Sequence, residues 1–211
     1  MRLSGSWFAL ALLVVPAAVV AQPAGWSVTA PTRHEIDAAC DGYAKAPGLT
    51  TYRMTRYSTE GTSKGPWYAS DDKRNEKLMG NQKAVEYDLV TVRTRGPHVV
   101  TAEMATASVT GDGSNTNGYC FIGGKLVRGT ADVLDVSQDM SWSRVRYFDG
   151  ATVVAEKLTP KSLAPKRSGP LPAPPAEALA IPRYATPEKL PFFAAFQKAR
   201  AGTLPPLKFP A

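Results

Sequence analysis

The sequence predicts an α+β domain that is mainly antiparallel β-sheet, a meander or a small half-open barrel. An N-terminal helix precedes the sheet, and a Pro-rich C-terminal tail ends in a short helix. Three observations predict this. Gly123-Gly124 and Asp149-Gly150 each join two runs of β-branched and aromatic residues, the pattern of tight hairpins. Thr32 and Glu35 have capping-box spacing ahead of Ile36, Ala39, Cys40 and Tyr43, which recur at helical intervals. From Pro160 onward the chain is punctuated by Pro165, Pro170, Pro172, Pro174, Pro175, Pro182, Pro187 and Pro191, a density that excludes a sheet interior and favours extended chain.

The elements follow in order. Met1 and Arg2 precede an apolar run over residues 7–21 with small residues at Val19 and Ala21, so residues 1–21 have the form of a secretory signal, cut near Ala21-Gln22. The run is shorter than the roughly 20 residues of a bilayer-spanning helix. After the first helix, Ala46-Pro47-Gly48 is a stop. Residues 49–57 form a strand by composition, residues 59–66 a polar loop, and Trp67-Tyr68 a short apolar island before the charged stretch 71–77. Strands are expected over 84–95 and 99–109, broken by Gly96-Pro97, and residues 111–118 are expected to be a turn-forming loop. The two hairpins come next, with Phe121 and Phe148 at matching offsets before Gly123 and Gly150. On the second hairpin, alternation puts Val145 and Tyr147 on one face, taken as inward, and Arg144, Arg146 and Phe148 on the other. Residues 190–202 read as a helix, with Pro191 near its start, Gly202 past its end, and an apolar cluster of Phe192, Phe193 and Phe196. The organisation is thus a leader 1–21, a β-rich domain 22–159 and a tail 160–211.

Charge and cysteine content narrow the setting. The chain has 25 Lys and Arg against 18 Asp and Glu, and the leader takes only Arg2 with it, so the mature protein stays basic. Such a field permits acidic partners without demanding them. The two cysteines, Cys40 and Cys120, lack C-x-x-C spacing and suit a structural disulfide in an oxidising compartment.

No motif for catalysis stands out. His34 and His98 belong to no zinc spacing, and no G-x-S-x-G elbow presents a serine. Glu86 with Asp88, and Glu60 with Asp71, are the carboxylates that folding might pair for acid–base work, as in a cell-wall or polysaccharide hydrolase. Residues 112–117 carry alternating oxygen side chains but one carboxylate, which fits a hairpin connection better than a calcium loop. No cofactor is implied. Arg93 and Arg95, and Arg144 and Arg146, are i, i+2 pairs that would form an anion-binding patch if their strands were close, with Trp142, Tyr147, Phe148 and Tyr87 nearby. Against that stands a solvated face on which arginines deter aggregation, and no nucleic-acid motif is present. Phe192, Phe193 and Phe196 either dock in cis or fill a partner's groove.

The Tyr119-x-Phe121-x-Gly123-Gly124-Lys125-Leu126 and Arg146-Tyr147-Phe148-Asp149-Gly150 hairpins resemble those of uncharacterised bacterial secreted and envelope proteins built as β-meanders. The resemblance spans about residues 118–156. It implies a bacterial envelope setting and an antiparallel sheet, and it carries over no site residues. The expectation is therefore a periplasmic or secreted, non-catalytic envelope module that binds a protein or an anionic envelope component. A small-ligand or lipid carrier and a hydrolase are the alternatives.

Overall fold

A computed structural model describes residues 31–43, 46–164, 171–173 and 176–210. The leader and its cleavage site lie outside the described residues. Helix α1 (Arg33–Gly42) opens the fold, capped by Thr32 and Glu35 as their spacing requires. One antiparallel sheet of eight strands follows, in the order β2-β1-β3-β4-β5-β6-β7-β8. Its strands are β1 (Thr50–Thr59), β2 (Tyr68–Ala69), β3 (Ala84–Arg95), β4 (His98–Ser108), β5 (Gly113–Ile122), β6 (Lys125–Asp135), β7 (Met140–Asp149) and β8 (Thr152–Ser162). Helix α2 (Asp72–Met79) lies between β2 and β3, and α3 (Phe193–Arg200) lies near the C-terminus. Among the described residues β2 and β8 are the end strands and do not pair with each other, so the sheet is an open meander and not a closed barrel.

The sheet has two unlike faces. Strand alternation and the pairing registers put Met54, Val90, Ala102, Tyr119, Ala131 and Trp142 on one face. Thr55, Tyr57, Tyr87, Cys120, Arg128 and Tyr147 lie on the other. The second face receives both helices. Cys40 and Cys120 are joined, with S–S 2.08 Å and Cα–Cα 5.9 Å, and this link pins α1 across β5 and β6. Beside it Arg128 binds Asp37 and Asp41, each at 2.7 Å, and the Tyr147 hydroxyl donates to Asp37. Helix α2, capped by Asp71, sets Leu78 against Ala84, Tyr87 and Leu207.

The main core lies on the first face, and the C-terminal tail supplies its other half. Leu179, Ile181, Leu190, Phe192, Phe196 and Leu204 pack onto Met54, Val92, Tyr119, Phe121, Trp142 and Phe148. From Ala178 onward the tail crosses the sheet as a strap, tied down at several points. Asn115 and Arg144 donate to the carbonyls of Ala178 and Leu179, and the Leu126 amide donates to Ala185. The end of the chain then reaches the far edge, where the Ala69 amide donates to Pro205 and Ala69 accepts from Leu207. Contact is close enough that a side chain at Gly129 would meet Ile181 at 2.7 Å and Phe148 at 3.2 Å.

Several expectations change. The inward face of β7 is the one bearing Arg144, Arg146 and Phe148, because the strap covers it, while Tyr147 faces α1. The second hairpin turns at Gly150-Ala151, with Asp149 paired to Thr152 in the ladder. A bulge precedes the turn at Tyr147/Phe148, and the first hairpin has its counterpart at Cys120/Phe121. Residues 114–118 are strand and not loop, since their Thr and Asn side chains fit a half-covered sheet. The boundary at residue 160 falls inside β8, where Pro160 is tolerated because the strand is an edge. Residues 71–77 form a helix despite their charge, as Asp71 caps it and Leu78 is fully buried.

With a strap that is half the core, Phe196→Ala should cost about 3–5 kcal/mol, the usual loss for a buried phenylalanine. Urea denaturation monitored by circular dichroism reads this directly. A loss below about 1 kcal/mol would show that the Phe196 contact with the sheet contributes little.

Candidate functional site

A hollow lies at the β1–β2 end of the helix-bearing face. It is an open cleft of about 750 Å³. Tyr57 and Tyr68 form its aromatic wall, their rings 6.1 Å apart and 16° from parallel. The pairing of β1 with β2 produces this neighbourhood, because Thr55 opposes Tyr68 and Tyr57 follows on the same face. Burial raises the Tyr57 hydroxyl above its ordinary pKa, reinforced by Tyr68, so the phenol stays protonated and can donate. Glu60, Ser63, Gln82 and Val85 complete the rim with Pro210. A shallower hollow of about 520 Å³ adjoins it, sharing Gln82, Lys83 and Pro210 and bounded also by Phe209.

Each wall is held by an identifiable contact. The loop after β1 is folded back by hydrogen bonds from the Thr62 amide to Thr59 and from the Gly65 amide to Tyr57. Lys64, within the loop, reaches Asp88 at 2.8 Å and Glu86 at 2.9 Å. Asp88 is 1% exposed, and also accepts from Arg56 and Thr106, both at 2.7 Å. Burial pushes its pKa up, but the hydrogen bonds from Lys64, Thr106 and Arg56 outweigh that and leave it below the usual value. Trp67 lies over the Arg56 guanidinium at 4.6 Å and meets Phe192 edge-on, so the loop, the buried acid and the strap share one anchorage. The C-terminal wall is fixed by Asn81 donating to Pro210 and by Lys77 against the Phe209 ring.

The residues singled out by sequence fall elsewhere. Cys40 and Cys120 are bonded to each other. The arginine pairs do not converge: β3 and β7 are separated by three strands and the pairs point to opposite faces. Arg95 stacks on Tyr43, whereas Arg144 and Arg146 both face Glu156. Trp142 and Phe148 lie under the strap, and Tyr147 and Tyr87 under the two helices. Phe192 and Phe196 are 2% and 1% exposed and Phe193 is half-buried, so they serve the core and not a partner's groove. Glu86 and Asp88 share Lys64, which suits anchoring and leaves Asp88 ionised, the wrong state for a general acid. Asp71 caps α2, while Glu60 stands on the cleft rim. His34 and His98 are exposed. Asn115 and Asn117 point to the strap face while Ser114 and Thr116 point away, so their oxygens cannot form one coordination shell. Among the described residues no group of three or more acidic, His or Cys side chains is gathered for a metal, and no helix is long and apolar enough to cross a membrane.

The residues that sequence reasoning missed are Tyr57, Gln82, Val85 and Pro210. The apolar island at Trp67-Tyr68 was the available signal, but its pairing with Tyr57 depends on a two-residue strand.

Asp88→Asn should destabilise the fold by about 2 kcal/mol at pH 7, below the about 3–5 kcal/mol of a fully buried pair because Arg56 and Lys64 retain solvent contact. Since the native pKa is lowered, this contribution is full above the ordinary carboxylate value and fades as pH falls through the native one. Urea midpoints of the two proteins should therefore converge at low pH. A gap unchanged by acid would rule out the ionised carboxylate as its source. Comparison with family models, curated proteins and solved structures returns no match.

Proposed function

We propose that the protein is an exported, non-catalytic module of the bacterial envelope that binds a protein or an anionic surface component. One observation carries the reading: the cleft at Tyr57 and Tyr68, whose rim residues Glu60 and Gln82 have no side-chain partner among the described residues. Asp88, Arg128, Arg144, Phe192 and Phe196 are occupied with holding the fold together. Export is supported by the leader's form and by the Cys40–Cys120 bond, which suits an oxidising compartment. The basic net charge favours residence at anionic surfaces.

A carrier would need an apolar cavity, and the strap fills the apolar face of the sheet. A hydrolase would need carboxylates facing each other across a cleft, and Glu86 and Asp88 instead grip the same lysine.

Co-sedimentation of the mature chain with washed envelope fragments tests the reading. The intact protein should pellet with the fragments, and Tyr57→Ala combined with Tyr68→Ala should weaken this at least about tenfold, a loss of about 1.4 kcal/mol. Equal binding by the folded double variant would remove the cleft from the function.

A further inference from the structure

We infer that the occupant of this cleft is an oligosaccharide built of pyranose rings; this rests on the proposed binding role. A pyranose has an apolar face of C–H groups and a rim of hydroxyls that both donate and accept. The cleft offers the complement. Tyr57 and Tyr68 present near-parallel aromatic rings, apolar in body and polar at the tip. Around them Glu60 supplies acceptors, while Ser63 and Gln82 each supply donors and acceptors. Glu60, Ser63 and Gln82 make no side-chain hydrogen bond among the described residues, so binding breaks no bond within the protein.

Other occupants fit less well. A peptide strand adding to the sheet would need the backbone edge of β2, but Ala69 already uses its amide and its carbonyl on Pro205 and Leu207. A phosphate would be recognised by converging arginines, whereas this lining has no arginine and carries one acid, Glu60, and one base, Lys83. A lipid tail would need apolar walls, and threonine, serine and glutamine make up much of these.

The size indicates a chain of rings and not one. The main hollow is within the usual range for small-molecule sites, and the adjoining one continues it past Gln82 and Pro210. Both are open to solvent, so a bound ring need not be a chain end. The wall positions depend on the Asp88–Lys64 pair on one side and the C-terminal segment on the other.

The test is titration of the isotopically labelled mature chain with three tetrasaccharides, followed by NMR shifts. The probes are β-1,4-linked N-acetylglucosamine, α-1,4-linked glucose and α-1,4-linked galacturonate. At least one should shift resonances of Tyr57, Tyr68 and Gln82 in a saturable way. Tyr68→Phe should bind within about twofold of the parent, Tyr68→Ala at least about tenfold more weakly, and Gln82→Ala about threefold more weakly, with melting temperatures of the exposed Gln82 variant unchanged. Shifts mapping elsewhere would overturn the inference, as would no saturable shift with any of the three. If envelope fragments still bind in a manner that needs Tyr57 and Tyr68, the latter result fails the saccharide alone and leaves the binding role standing. If the fragments do not bind either, the broader reading fails with it.

Discussion

Burial of the apolar face of the sheet under the C-terminal strap is the interaction on which the rest depends. An antiparallel sheet can leave one face to water only if the other is covered. Here α1 and α2 cover parts of one face, and neither touches the surface bearing Met54, Val92, Phe121 and Trp142. Among the described residues the strap closes most of it, with Leu179, Ile181, Leu190, Phe192 and Phe196 each burying side-chain area worth about 1.5–3 kcal/mol. The prolines follow from that task. The described strap joins the sheet by a single bridge, Ala69 to Pro206, and proline lowers the entropy lost on fixing it.

The same strap shapes the cleft. After α3 the chain runs along β2 through Ala69 and ends beside Asn81 and Lys77, so the last residues of the core become a wall of the hollow. The other wall is the loop after β1, tied to the sheet by Lys64 on Asp88. That buried acid is far from the chemistry its isolation on a strand suggested. Its three hydrogen-bonding partners offset the cost of its burial and make it a fixed point between loop and sheet.

Most strands, their antiparallel order and the α1 cap were legible because local signals decide them. Glycines at 123 and 124 have the positive φ values that a tight hairpin demands, and Thr32 and Glu35 bond reciprocally as their spacing requires. The disulfide was legible from the cysteine count. What was not legible was tertiary in origin. The sidedness of β7 depends on which face the strap covers, and residues 144, 146 and 148 look like a mixed surface until Leu179 and Ile181 are placed over them. Tyr57 looks like any strand tyrosine until β2, only two residues long, brings Tyr68 beside it. Whether the tail docks in cis or in trans is left open by the sequence, because Phe192 and Phe196 meet Trp67 and Tyr52, residues far earlier in the chain.

Native-state hydrogen exchange tests the role of the strap most directly. The amides of Leu126 and Leu207 are bonded across the strap, to Ala185 and Ala69. If the strap is part of the core, these amides exchange only through global unfolding, with the same protection and denaturant dependence as central β5 and β6 amides. Exchange of the pair orders of magnitude faster than the central strands, and insensitive to denaturant, would show a strap that lifts away while the sheet stays folded, and would contradict its place in the core.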